Sequence, residues 1–198
     1  MSATSPTSPT FPVTGEAAAD DLLVGDPLAL LIGMLLDQQF PMERAFVAPY
    51  RLQQRLGRRL DAADLASVDP DELAELFRTP PALHRYWGAM AKRTQALCQQ
   101  LVDEYGGDAA ALWSDVDTGA ELIKRLQALP GFGKEKSKIF GAVLAKRFGV
   151  RPDGWEDATS PFSDTEPRSV ADIDSAENLE RVRAWKKAMR AAGKGKAD

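Results

Sequence analysis

LPGFGKEKSKIFG, Leu129 to Gly141, sets a Pro-Gly-Phe-Gly turn and three lysines at the junction of two apolar segments with helical spacing. Leu122, Ile123 and Leu126 stripe the segment before it, and Ile139, Phe140, Val143, Leu144 and Phe148 stripe the one after. The proline ends the first helix and the glycines permit positive φ. Peptide N–H groups at the start of the second helix are then free of intrahelical partners. Such a turn can hold an anion: the helix dipole adds partial positive charge, and Lys134, Lys136 and Lys138 add full charges. A phosphate held there would be gripped without any reading of base sequence. A plain connector, whose glycines only allow two helices to pack closely, explains the same residues.

Outward from this turn the pattern stays helical, with none of the evenly spaced Val/Ile/Thr runs of a sheet, so the sequence predicts an all-α protein. Asp69-Pro70-Asp71-Glu72 joins an N-cap, a proline at the first helical position and a glutamate three residues after the cap. Leu73, Leu76 and Phe77 follow as its apolar stripe. Met90, Thr94, Leu97, Leu101 and Tyr105 share a face with Cys98 and Val102 before Gly106-Gly107 stops that helix. Cys98 is therefore expected in the core rather than as a nucleophile. The run Leu28 to Leu36 is too short to cross a bilayer and is flanked by Asp26 and Asp37, which predicts a buried helix.

The 198 residues, 44% of them apolar, suffice for one domain or two small lobes. A net charge of -4 argues against a protein that coats nucleic acid non-specifically, yet leaves room for a local basic face. One cysteine and one histidine, His84, exclude a Cys-rich zinc site, a four-cysteine iron–sulfur cluster and an internal disulfide. No cofactor, no metal and no membrane contact are expected, and a cytoplasmic monomer is the natural reading. Residues 1–20, rich in Ser, Thr and Pro and lacking a secretory pattern, suggest a disordered leader. Residues 150–170 suggest a long loop. A last helix from about Ala176 carries Leu179, Val182, Trp185 and Met189 on one face and Arg181, Lys186, Lys187 and Arg190 on the other.

LPGFGKEKSKIFGAVLAKRFG, Leu129 to Gly149, resembles the helix-hairpin-helix signature of the HhH-GPD superfamily of base-excision DNA repair proteins. LLIGMLLDQQFPMERAF, Leu30 to Phe46, is similar to that family's first core helix, an apolar run ending in a Gln-containing loop. YWGAMAKRTQALCQQL, Tyr86 to Leu101, looks like its helix bearing an aromatic, a lysine and an apolar stripe. Order and spacing agree over roughly residues 26 to 160, leaving the C-terminal helix outside the resemblance. The domain expectation is a 21–175 helical body with a 176–198 basic helix and tail.

The resemblance implies a two-lobed helical bundle with duplex DNA across the cleft and a damaged or modified nucleotide turned out of the stack, because its glycosidic bond is inaccessible inside a duplex. Gly131, Phe132, Gly133, Lys134 and Lys136 would grip the backbone. Gln38 and Gln39 match the loop that fills the vacated space, with Phe40 or Met42 as an apolar wedge; capping of a buried helix end is the plainer role. Bifunctional members carry a lysine two residues after the second hairpin glycine, where it forms a Schiff base. This chain has Glu135 there. The implied enzyme is thus a monofunctional DNA N-glycosylase using water and one acid. The alternative is an inactive DNA-binding or lesion-sensing module.

The family's aspartate follows the hairpin by about twenty residues. Counting from Gly133 gives Asp153, whereas counting from Phe148-Gly149 gives Glu156 or Asp157. Asp153 ranks first, Asp157 second and Glu156 third, and a simple turn at Pro152-Asp153-Gly154 explains the first equally well. Trp155 and Phe162 from this loop, with Tyr86 and Trp87 opposite, could stack on an extruded base or belong to the core.

Overall fold

The computed structural model describes residues 9–195 and 197. Ten α-helices lie among the described residues: α1 (Ala17–Gly25), α2 (Pro27–Leu36), α3 (Met42–Leu56), α4 (Ala62–Ser67), α5 (Pro70–Arg78), α6 (Trp87–Tyr105), α7 (Gly119–Gln127), α8 (Lys134–Phe148), α9 (Trp155–Thr159) and α10 (Ala176–Ala191). Short 3-10 turns cover Ala109–Leu112 and Val170–Asp172. In place of a sheet, the described residues hold one isolated parallel bridge, Thr118 to Asp153. The protein is a helical, two-lobed bundle.

Its centre is α2. Asp26 caps this helix by accepting from the Leu28 and Ala29 N–H groups, with Pro27 in the first turn. Every residue from Leu28 to Leu36 is then buried, a consequence of an apolar surface with no polar stripe to turn outward. α1, α3 and α6 pack around it. Asp69 caps α5 as its sequence predicts, accepting from Asp71 and Glu72, and buries Leu73 and Phe77. α6 buries Met90, Thr94, Leu97, Cys98 and Leu101 and ends at Gly106 in the left-handed conformation.

α7 and α8 form the second group. Thr118 caps α7, which buries Leu122, Ile123 and Leu126, and the connecting turn buries Leu129 and Phe132. The Phe132 ring meets Phe140 edge-on at 5.9 Å, so the turn is anchored by its own aromatic. Beyond α8, Lys146 binds Asp172 at 2.6 Å where both side chains are nearly buried, and Ser169 and Asp172 form a reciprocal cap on the turn they flank. Arg147 reaches Asp174 at 3.4 Å. These contacts fix the start of α10 at the C-terminal half of α8.

Three features depart from the sequence reading. Residues 9–20 are not a loose leader: Phe11 and Val13 are buried, Phe11 packs on Phe46 at 5.4 Å, and α1 begins at Ala17. Composition misled because two apolar residues suffice to dock a Ser/Thr/Pro-rich segment; residues 1–8 of that expected leader lie outside the described residues. The 150–170 loop holds α9, which packs on α7 and α8. In α10, Leu179 and Val182 are buried, whereas Trp185 and Met189 are only half-buried and face an open cleft.

Candidate nucleic-acid interface

The turn between α7 and α8 has the geometry of an anion cradle. Phe132 donates its N–H to Leu129 O at 3.1 Å, and Ser137 donates its N–H to Gly133 O at 3.0 Å. Among the described residues the N–H groups of Gly131, Gly133, Lys134 and Glu135 have no acceptor, and α8 has no side-chain cap. Gly131 sits at φ +79 and packs on Leu35, where an added Cβ would lie 2.6 Å from Leu35 Cδ1. Gly133 differs from expectation. Its φ of -84 and ψ of 177 are open to any residue, and an added Cβ would meet nothing within 4 Å. No neighbouring atom of the protein therefore requires the missing side chain.

The lysines divide. Lys134 is exposed with no ion pair among the described residues. Lys136 turns inward instead and donates to Leu35 O at 2.6 Å, tying α8 to the last turn of α2. Lys138 donates to Ser160 O at 2.8 Å. Phe132 contributes its backbone to the turn and its ring to the core.

Beside this turn the chain from Asp37 to Met42 forms one lip of a cleft of about 790 Å³. Gln39 adopts φ +50, uncommon for a residue with a side chain and a sign of local strain. Its carbonyl accepts from Arg85 at 3.4 Å and its Oε1 from Tyr86 at 3.4 Å. Gln38 is half-buried with Nε2 3.1 Å from Met90 Sδ, and its carbonyl is 3.1 Å from His84 Nε2. His84 is fully buried, and its Nδ1 accepts from the Tyr86 N–H at 3.0 Å. That leaves Nε2 to donate, so the ring is neutral. Burial pushes its pKa below the ordinary value, outweighing the raising effect of the Gln38 carbonyl. His84 is thus the post that holds the Gln-containing loop.

α10 supplies the opposite lip with Arg183, Lys186, Lys187 and Arg190, and Lys194 joins them from the segment after the helix. Arg183 is bonded to Glu43 at 2.7 Å, a contact that raises its pKa, and Lys186 Nζ lies 3.1 Å from Met42 Sδ. Glu135, the residue in the lysine position, also lines the cleft. Three acids therefore share it: Asp37, Glu43 and Glu135.

The acids chosen by counting lie elsewhere. Asp153 donates its N–H to Asp117 O at 2.9 Å and accepts from Gly119 N at 2.8 Å, which fastens it to the start of α7. Nine residues of α7 separate that end from the turn, about 13 Å along the helix. Asp153, Glu156 and Asp157 are exposed and none lines the cleft. Phe162 is buried, Trp155 lies under the Arg151 guanidinium, and Tyr86 and Trp87 are exposed at the start of α6. The sequence places Lys186, Lys187 and Arg190 on a basic face of the last helix; that this face lines one cleft with Asp37 was missed, because it depends on how distant segments meet. The one available signal was an acid closing an apolar run immediately before two glutamines.

No helix among the described residues is long and apolar enough to cross a membrane, and no three His, Cys, Asp or Glu side chains there are grouped to hold a metal ion. No curated protein matches the chain in sequence. Among solved structures, the fold is similar to that of H. pylori 3-methyladenine DNA glycosylase (MagIII) bound to 1,N6-ethenoadenine, at 16% identity and a TM-score of 0.50, covering 90% of this chain and 97% of that one. A trapped endonuclease III–DNA covalent intermediate also matches, at 20% identity and a TM-score of 0.45, over 80% of this chain; the chain spans only 65% of the endonuclease III length. The family model of the HhH-GPD superfamily base excision DNA repair proteins matches residues 32–194, so the match takes in α10, which the sequence reading had left outside. The chain belongs to the HhH-GPD superfamily of base excision DNA repair proteins.

Proposed function

We infer that this protein is a DNA N-glycosylase of the monofunctional kind, which grips duplex DNA through the Gly131–Gly133 turn and hydrolyses the glycosidic bond of a damaged base rotated into the cleft. The observation that carries the reading is the row of unpartnered N–H groups at the start of α8, opening beside a cleft whose lip carries the strained Gln39. Backbone amides and Lys134 hold phosphates, Gln38 and Gln39 occupy the space the base leaves, and α10 adds cationic contacts. Glu135 has no amine with which to form a Schiff base, which supports attack by water over a lyase route. A cytoplasmic monomer acting on DNA with a damaged or modified base remains the working description.

Duplexes carrying a panel of damaged bases test this. Strand scission is expected only after alkali treatment of the reacted duplex, and borohydride is expected to trap no protein–DNA adduct. Absence of scission with every lesion, even after alkali, refutes the enzymatic reading.

One observation favours a second reading, a lesion-binding module without chemistry: the acids at 153, 156 and 157 lie outside the cleft. That module would prefer distorted over intact duplex and release no base.

A further inference from the structure

If the chain hydrolyses a glycosidic bond, a carboxylate must stand near the sugar, and the three acids of the cleft are unequal candidates. Glu43 is engaged by Arg183 at 2.7 Å. Glu135 is exposed on the first turn of α8, where water screens its charge. Asp37 is only 9% exposed, and its Oδ2 is buried with no hydrogen-bond partner.

Asp37 is also held in place. Its N–H closes the last turn of α2 on Gly33 O at 3.1 Å, Lys136 grips the adjacent Leu35 carbonyl, and His84 holds the Gln38 carbonyl. The side chain is therefore carried on a backbone fixed from both directions and followed by the strained Gln39. Two features of the fold oppose an acid here. The C-terminal end of a helix carries partial negative charge, which opposes a carboxylate, and a buried oxygen without a hydrogen bond is destabilising. Unfavourable groups fixed by a rigid surround are found at functional sites, where activity outweighs stability.

We propose that Asp37 is the catalytic carboxylate of this cleft, an assignment that rests on the N-glycosylase reading. The bond between the base nitrogen and C1′ breaks and its electron pair leaves with the base. The positive charge that develops on C1′ and the ring oxygen faces the Asp37 carboxylate. Water bonds to C1′ through its oxygen and gives one proton to Asp37, from which it returns through solvent to the departing base. The products are the free base and an abasic sugar, with no oxidant or reductant consumed.

Asp37→Asn keeps the shape and removes the charge. On a lesion that the wild-type chain processes, single-turnover base release is expected to fall roughly 100-fold or more. Affinity for a duplex bearing a stable abasic-site analogue should stay within about threefold, because the base-independent contacts remain. The melting temperature should be unchanged or higher, since a buried oxygen without a partner has been neutralised. Asp71→Asn, on the exposed start of α5, is the control expected to behave as wild type. Asp37→Asn that releases base at the wild-type rate overturns the assignment, as does loss of release by Asp153→Asn or Glu135→Gln alone. A variant that fails to fold, or that loses stability and affinity along with release, also overturns it, by making Asp37 structural. A wild-type chain that releases no base overturns the parent reading instead, and this one with it.

Discussion

Gly133→Ala separates what the turn does for the protein from what it does for DNA. The backbone at Gly133, φ -84 and ψ 177, accepts alanine, and the new Cβ would meet nothing within 4 Å. Two small folding effects then oppose each other: alanine restricts the unfolded chain, a gain of about 0.4–1 kcal/mol, and is a poorer N-cap than glycine by a comparable amount. The net change should be within about 0.5 kcal/mol, a shift under roughly 2 °C for a chain of this size. Gly131→Ala is the contrast. It forces a side chain into φ +79 and brings Cβ to 2.6 Å from Leu35 Cδ1, so it should lower the melting temperature by roughly 2–8 °C, corresponding to about 1–2 kcal/mol of left-handed strain. If a phosphate approaches the free N–H groups, the methyl at 133 stands in its way. Loss of one charge-assisted hydrogen bond, about 1.5–3 kcal/mol, weakens binding roughly 10- to 150-fold. Fluorescence anisotropy with a duplex bearing an abasic-site analogue, run beside thermal melts, measures both quantities. Gly133→Ala with unchanged stability and affinity within twofold of wild type would refute the anion-cradle reasoning.

Three further outcomes are expected. Folded His84 binds its proton less readily than the unfolded ring, so its contribution to stability is present above the unfolded value of 6.5 and is lost as pH falls below it. The melting-temperature gap between wild type and His84→Gln should therefore narrow from pH 7.5 to 5.5; a constant gap would contradict a neutral buried ring. Lys187→Gln and Arg190→Gln, exposed on the cleft wall, should each flatten the dependence of log affinity on log salt by about 0.9 if each touches a phosphate. An unchanged slope would assign that helix face to solvent. Cys98 is fully buried and its thiol is pushed up to about 12 by burial, with the charge of Asp61 adding to it. It should resist maleimide at pH 7 in the native protein and react fully in denaturant.

Much of this protein is determined locally. Helices α2, α5, α6, α7 and α8 follow from caps, prolines, terminating glycines and apolar spacing within a few residues of each other, so their existence is written in the chain. The turn at Leu129 to Gly133 is of the same kind: a proline stops one helix, Gly131 turns left-handed, and α8 restarts with uncapped N–H groups. Because that turn is local, the family it points to could be recognised from sequence. The cleft is different. It exists because Lys146–Asp172 and Arg147–Asp174 pin the return of the chain onto the far half of α8, which sends α10 back towards the Asp37–Met42 loop. Those pairs join residues more than twenty positions apart, and no periodicity encodes which partners will meet. Counting along the chain likewise selected Asp153, whose backbone is bound to the start of α7, while Asp37 closes α2 more than a hundred residues earlier and reaches the cleft only through packing. Spacing in sequence fixes angles and caps over a few turns of helix; which carboxylate stands in a cleft between distant helices is decided by the assembled core.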